Sequence, residues 1–238
     1  MISKNQIKLL KSLEYKKYRK LHGLFVAEGP KLVNELLLEG WQPKHLFHLP
    51  EWQGSNGETG EEITDRELSQ ISQLSTPNEV LAVLQLPENE FNGFGHKLNL
   101  VIDGIKDPGN LGTMIRLADW YGLKEIFLTP DCTDAFSAKT VQASMGSIFR
   151  IKITQLAQQE IVLLPAQMAQ VLGAFLDATP VKSIEPKWPL SLVIGSESHG
   201  ISQEIENLVT HKISIERKGK AESLNAAMAC GILLDNLL

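Results

Sequence analysis

From Leu98 to the end of the chain, short apolar runs alternate with segments of helical pattern. This alternation restricts that part of the sequence to a parallel sheet covered by helices. Leu98 to Asp103 is a continuous apolar strand, Gly104 to Asn110 a loop, Leu111 to Tyr121 a helix stopped by Gly122, and Glu125 to Thr129 the next strand. Strand, loop, helix and strand within so short a span make a βαβ unit. A helix is then expected over Ser137 to Met145, a strand over Ser147 to Thr154, mostly helix over Gln155 to Leu172 despite Pro165, and a short strand over Ala174 to Ala178. Leu190 to Gly195 is the clearest strand. Ser202 to Val209 reads as a helix capped by Ser202, His211 to Ile215 as the last strand, and Ser223 to Leu238 as the closing helix.

The front of the chain is patterned differently. Residues 2–21 carry Ile2, Ile7, Leu9, Leu10, Leu13, Tyr18 and Leu21 between cations, which suggests one amphipathic helix with some irregularity. Leu24 to Ala27 reads as a strand, Glu28-Gly29-Pro30 as a turn, and Lys31 to Glu39 as a helix closed by Gly40. Lys44 to Leu49 reads as a strand, Glu51 to Gly60 as a loop, Asp65 to Leu74 as a helix, and Val80 to Leu84 as a buried strand. Pro87 to Lys97 is polar and rich in Asn and Gly, so the domain boundary falls there. The expected architecture is α/β, with a small domain over 1–92 and a parallel-sheet domain over 93–238.

Composition narrows the class of function. With 43% hydrophobic and 21% charged residues the chain can bury a core, and no apolar run approaches membrane-spanning length. The N-terminus lacks the apolar core and cleavage site of a signal peptide, so a cytoplasmic protein is the expectation. Cys132 and Cys230 lie far apart without metal-ligand spacing, which argues for two small hydrophobes and against a zinc site or a disulfide framework. The net charge of −5 hides an asymmetry. Lys4, Lys8, Lys11, Lys16, Lys17, Arg19 and Lys20 face the single acid Glu14, which is either a solvated helix face or a phosphate-contacting patch.

In an open parallel sheet the chemistry sits beyond the carboxyl ends of the strands, and three of those loops are unusual. Asp103 to Thr113 is glycine-rich and precedes a helix, but it spells neither Gly-x-x-x-x-Gly-Lys-Ser/Thr nor Gly-x-Gly-x-x-Gly. Gly195 to Ser202 places Glu197 between serines and glycines, where an ordinary turn with Glu197 capping the next helix is the plain alternative. His199 invites a hydrolase reading, yet Gly-x-Ser-x-Gly is absent. The third loop leads from Ile213-Ser214-Ile215 through Glu216-Arg217-Lys218 to Ser223-Leu224-Asn225, polar where a closing helix should be apolar.

Taken together these stretches resemble a known family. Asn110-x5-Arg116-Leu-Ala-x3-Gly122, Ile194-Gly195-Ser-Glu197-x-x-Gly200-Ile-Ser, and Ile215-x7-Ser223-Leu224-Asn225 are similar to the three motifs of the SpoU (TrmH) RNA ribose 2′-O-methyltransferases. Lys139 to Arg150 resembles the family too, and Phe25-Val-Ala-Glu28-Gly29-Pro30-Lys31 resembles the start of the ribosomal-protein-like substrate-binding domain that many members carry. The resemblance implies a SPOUT fold with a C-terminal trefoil knot, a homodimer that builds each site, S-adenosylmethionine as cofactor, and no metal. It implies Gly195, Ile215 and Leu224 as cofactor contacts, and Asn110, Arg116, Glu197, Ser223 and Asn225 as the catalytic group.

The implied reaction is methylation of a ribose 2′-hydroxyl in RNA, with ribosomal RNA favoured over transfer RNA by the front domain. A non-catalytic RNA-binding protein of the same fold is the alternative, and a nucleotide-dependent enzyme survives only through the first glycine loop. A guanidinium stays protonated in a protein, so Arg116 is expected to act electrostatically, with Glu197 and Asn110 orienting it. One departure stands out. Many members carry Ile-Pro-Met where this chain has Ile215-Glu216-Arg217.

Overall fold

A computed structural model describes residues 2–54, 57 and 59–238. In chain order the helices and strands of the first part are α1 (Lys4–Ser12), α2 (Lys16–His22), β1 (Leu24–Glu28), α3 (Pro30–Leu38), β2 (His45–His48), β3 (Glu61–Glu62), α4 (Asp65–Ile71) and β4 (Val80–Gln85). There follow β5 (Leu98–Ile102), α5 (Pro108–Trp120), β6 (Glu125–Leu128), α6 (Ala138–Ser144) and β7 (Lys152–Gln155). The last are α7 (Gln158–Ile161), α8 (Leu164–Gln167), β8 (Gln170–Pro180), β9 (Leu190–Ile194), α9 (Gln203–Glu206), β10 (His211–Ser214) and α10 (Ala226–Leu237). The chain divides into two compact units, Met1–Glu88 with Asp134–Arg150, and Asn89–Thr133 with Ile151–Leu238. The expected domains, 1–92 and 93–238, are contiguous in sequence, whereas these units interleave.

The first unit is built on a four-stranded sheet of order β1-β4-β2-β3, antiparallel except for the β2–β3 pair. Leu10, Leu13, Val26, Phe47, Leu68, Ile71, Leu81 and Val83 fill its core. Residues 2–21 form two helices and not one. Leu13, Glu14 and Tyr15 each donate to the carbonyl three residues back, which tightens and ends the first helix. The buried Arg19 then takes the freed carbonyls, its Nη1 donating to Leu13 O at 2.6 Å and Glu14 O at 2.8 Å. In the 51–60 loop, Ser55, Asn56 and Glu58 lie outside the described residues. Two buried or half-buried ionic features tie Asp134–Arg150 into this unit: Arg19 with Asp134 at 2.6 Å, and Arg150 with Glu35 at 2.9 Å.

The second unit carries a six-stranded parallel sheet of order β10-β8-β9-β5-β6-β7. β5, β6 and β9 are buried along their whole length, which is why they read as unbroken apolar runs. The chain leaves β5 toward β6 and β7 on one side and returns to β9 and β8 on the other, so the order reverses between β5 and β9. That switch point is where an open sheet parts its loops and receives a ligand.

Several expected elements differ. The strand expected over Ser147–Thr154 begins with a 3-10 turn, Ser147–Phe149, because Met145 and Gly146 adopt left-handed backbone at φ 51 and φ 95, and the strand proper is Lys152–Gln155. The helix expected over Gln155–Leu172 is two single turns; Pro165 sits at the start of the second, and β8 begins at Gln170. β8 runs for 11 residues where a five-residue strand was expected. The Ser202–Val209 helix shrinks to one turn. Ser202 occupies its cap position without a side-chain cap bond, and its backbone N–H donates instead to Asp103 Oδ2 at 2.6 Å.

Candidate active site at the switch point

The loop after β5 ends in Asp107-Pro108, the residue pair that best starts a helix. Asp107 accepts from Asn110 N at 2.8 Å, and Pro108 supplies a preset φ at the first helical position. Asn110 therefore lies in the first turn of α5 and not in the loop where the sequence placed it. The carboxylate of Asp107 occupies the helix N-terminus, so the phosphate-cradle reading of this stretch fails.

The loop after β9 is a tight turn in which Ser196 and Gly200 exchange both backbone hydrogen bonds at 2.9 Å. Gly200 has φ +69, and a Cβ on Gly195 would stand 2.2 Å from the Gly200 carbonyl carbon. Only glycine fits there. Asp103, buried at the end of β5, anchors the far side of this turn through Ser202 N. Ser198 Oγ and His199 Nδ1 lie 2.7 Å apart, but these are adjacent exposed residues, and among the described residues no acid orients the imidazole as a hydrolase would require.

The closing helix begins at Ala226, three residues later than expected. Asn225 is its cap, with Oδ1 accepting from Ala227 N at 3.0 Å and Met228 N at 3.2 Å. The same side chain reaches the other two loops: Nδ2 donates to Asn110 Oδ1 and to Glu197 Oε1, both at 2.7 Å. Glu197 Oε1 also accepts from Asn110 Nδ2 and Ala226 N, each at 3.0 Å. Glu197 thus caps a helix, but it is the last helix of the chain and not the next one. A single carboxylate oxygen collects three N–H donors from the ends of α5 and α10.

Beside this hub opens a cavity of about 730 Å³, a size that suits a small-molecule ligand. Its walls come from β8 (Ala174 to Asp177), the β9 turn (Ile194 to Ile201), the tail loop (Lys212 to Leu224) and the inner face of α10. Gly195, Glu197, Ile215, Ser223 and Leu224 all line it, and Leu224 stays 46% exposed although it is apolar. β8 makes room for the cavity. Its pairing with β10 jumps from Gly173↔Lys212 to Thr179↔Ile213, which frees residues 174–178 to form a wall. Asp177, Glu197, Glu206, Glu216 and Glu222 outnumber Lys212, Arg217 and Lys218 on the lining, a balance suited to a cationic ligand.

The remaining expected site residues stand apart from the hub. Arg116 is on the exposed face of α5 with no hydrogen-bond or ion-pair partner among the described residues, and Ser223 lines the cavity without a hydrogen bond there. Burial pushes the Cys230 thiol up to about 12 and raises that of Cys132, so neither offers a thiolate nucleophile near neutral pH. Among the described residues, no group of three or more His, Cys, Asp or Glu could hold a metal ion. Asp103, Asp107 and the β8 wall are contributions that the sequence reading missed. The Asp-Pro pair was legible as a helix start, whereas β8 was hidden by being read as a short strand.

Comparison with known proteins bears directly on this arrangement. The profile of the SpoU rRNA Methylase family matches residues 97–235, and that of the MRM3-like substrate binding domain matches residues 4–82. The 23S rRNA (guanosine(2553)-2′-O)-methyltransferase RlmP of Bacillus subtilis is 33% identical over 99% of this chain and 97% of its own length. The human mitochondrial rRNA methyltransferase 3 is 27% identical over 91% of this chain and 68% of its own. A TrmH-family protein from Porphyromonas gingivalis superposes with a TM-score of 0.89 at 36% identity, covering 100% of this chain and 98% of that one. The AdoMet-bound rRNA methyltransferase of Sinorhizobium meliloti gives 0.86 at 30% identity, covering 100% and 95%. With its parallel sheet, its switch-point hub and these matches along its length, the chain belongs to the SpoU rRNA methylase family.

Proposed function

We propose that this protein transfers a methyl group from S-adenosylmethionine to a ribose 2′-hydroxyl of RNA, with ribosomal RNA favoured and transfer RNA second. The observation that carries the reading is the Glu197 hub beside the 730 Å³ cavity, at the switch point of a family whose relatives are named for this reaction. Residues 93–238 would form the methyltransferase domain and 1–92 the RNA-binding domain. Among the described residues no helix is long and apolar enough to cross a membrane; a cytoplasmic location belongs to this proposal because ribosomal RNA is the favoured substrate.

The cavity fits S-adenosylmethionine on three counts. Ile194, Ile213, Ile215 and Leu224 offer apolar faces to an adenine ring, Gly195 lets the turn after β9 close tightly enough to form part of the wall, and the acidic excess suits a sulfonium. When bound, the cofactor supplies an electrophilic methyl group. Gly195, Ile215 and Leu224 would contact it.

Catalysis then falls to positioning and electrostatics. Glu197 fixes Asn110 and Asn225 against each other, so the two amides keep one orientation without waiting for substrate. Ser223, without a hydrogen bond among the described residues, has its hydroxyl to offer the ribose. Arg116 cannot accept a proton; it would grip the adjacent phosphate and the developing alkoxide, with the proton leaving to solvent or phosphate.

Arg116 lies on the exposed stripe Thr113-Arg116-Trp120 of α5, and Trp120 is 85% exposed while Met228 on α10 is 61% exposed. Such apolar exposure favours a homodimer in which Arg116 serves a site shared between copies. α10 packs on α5 so closely that a Cβ at Gly231 would lie 3.3 Å from the Leu117 side chain, and the trefoil knot of the C-terminal segment is part of the proposal through the family alone. Titration calorimetry with S-adenosylmethionine, followed by assay of methyl transfer to RNA, tests the reading. Absence of heat at high cofactor concentration overturns it. Binding without transfer to any cellular RNA favours the non-catalytic RNA-binding alternative.

A further inference from the structure

Resting on the reading of this chain as an RNA methyltransferase, we propose that Tyr15, Tyr18 and His22 form a stacking platform for unpaired nucleotides of the RNA substrate. The three rings fall at i, i+3 and i+7, one stripe along α2 and its entry residue. Tyr15 is 61% and Tyr18 38% exposed, and His22 is exposed beside them. Tyr15 meets Tyr18 edge-on at 6.5 Å between centroids, while Tyr18 and His22 lie nearly parallel, 6.4 Å apart with 17° between planes. Lys17 Nζ sits 5.9 Å from the Tyr18 centroid.

The platform is held rigid from beneath. Arg19, 3% exposed, donates to Leu13 O and Glu14 O and clamps Asp134 Oδ2 through Nε at 3.0 Å and Nη2 at 2.6 Å. The corner between α1 and α2 is therefore fixed before any ligand arrives, which lowers the ordering cost of binding. Charge selects the occupant. The chain carries a net −5, yet this segment holds Lys4, Lys8, Lys11, Lys16, Lys17 and Lys20 against Glu14 alone, so a polyanion is drawn to this segment of an otherwise repelling molecule. Cations alone would serve a duplex. Exposed ring faces interleaved with cations match splayed bases, because bases in a duplex present no free π face.

The test uses the full chain and a labelled single-stranded RNA beside a duplex RNA of the same length, with anisotropy followed across a salt series. A Tyr15→Ala/Tyr18→Ala variant, altered only at exposed positions, should bind the single strand at least about tenfold more weakly. Its salt slope and its duplex affinity should be unchanged. A Lys17→Gln/Lys20→Gln variant should weaken binding to both RNAs and reduce the salt slope by about two. Wild-type single-strand affinity in the tyrosine variant, or an equal loss on the duplex, overturns the platform; the first of these would leave the face to a protein contact. Cofactor heat in the wild-type protein is read separately, so failure of the methyltransferase reading leaves the binding comparison intact.

Discussion

Glu197 Oε1 and Asn225 Nδ2 stand 2.7 Å apart across 28 residues of chain, and this contact joins the turn after β9 to the start of α10. Asn225 caps that helix with its other amide atom, so one side chain links the stability of the tail to the geometry of the site. Asn225→Ala is expected to lower stability by about 1 kcal/mol from the lost cap, and to cut turnover by roughly a hundredfold because Asn110 and Glu197 lose their common partner. Glu197→Gln keeps the shape and an acceptor but exchanges three charge-assisted bonds for weaker ones, so turnover should fall while the fold persists. Thermal melting and single-turnover kinetics on both variants separate the two effects. Full activity in both would remove the hub from the mechanism.

Gly195→Ala should abolish cofactor binding. The added methyl would stand 2.2–2.3 Å from the Gly200 backbone, so the turn must open, and the cavity wall opens with it. Gly219, in the tail loop on the same cavity, has open space around its Cβ position, and Gly219→Ala should bind as wild type does. Calorimetry with S-adenosylmethionine compares them, and equal heats for both variants would show that the Gly195 turn does not shape the ligand site.

Much of this site was legible in sequence because Glu197 and Asn225 stand in polar stretches next to buried strands and a small-residue helix, although Ser223 and Asn225 prove to be exposed residues ahead of a helix that starts at Ala226. The buried strands β5, β6 and β9 were equally plain, since both of their faces are covered and no alternation is needed. What escaped was set by distant partners. The break between α1 and α2 depends on Arg19 reaching carbonyls five and six residues back, and the length of β8 depends on a register jump against β10. Neither leaves a local periodicity to read. Arg116 was singled out by its motif, but its isolation on an exposed helix face is a tertiary fact.

Trp120→Glu should yield a monomer. The wild-type protein is expected to sediment at twice 26.4 kDa, because an indole 85% exposed beside Arg116 is a costly surface for a lone chain. Sedimentation velocity checks this, and a monomeric wild type would detach Arg116 from any site shared between copies.

Two carboxylates should give opposite pH signatures. Burial raises Glu28 above the usual carboxylate range, only partly offset by its bonds from Ser72 Oγ and Gln73 N. Its native form binds protons more tightly than its unfolded form, so its contribution to stability is present at low pH and lost as pH rises through the raised value. Burial also pushes Glu125 up, but hydrogen bonds from Thr154, Lys152 and His96 outweigh it and leave the group below its ordinary value. Its contribution is present above the unfolded value and lost as pH falls through the depressed one. Melting temperatures followed from about pH 3 to 7 should therefore rise for Glu28→Gln relative to wild type toward pH 7, and should fall for Glu125→Gln by an amount that shrinks in acid. The reverse pattern would contradict both assignments.

The most direct measurement is the map of ribose methylation in ribosomal RNA from cells lacking this protein. One 2′-O-methyl mark should be missing, and wild-type protein with S-adenosylmethionine should restore it in vitro. Arg116→Lys should bind that RNA but restore the mark at least about tenfold more slowly, because a point ammonium cannot reproduce the planar fork. An unchanged methylation map in ribosomal and transfer RNA alike would contradict the account.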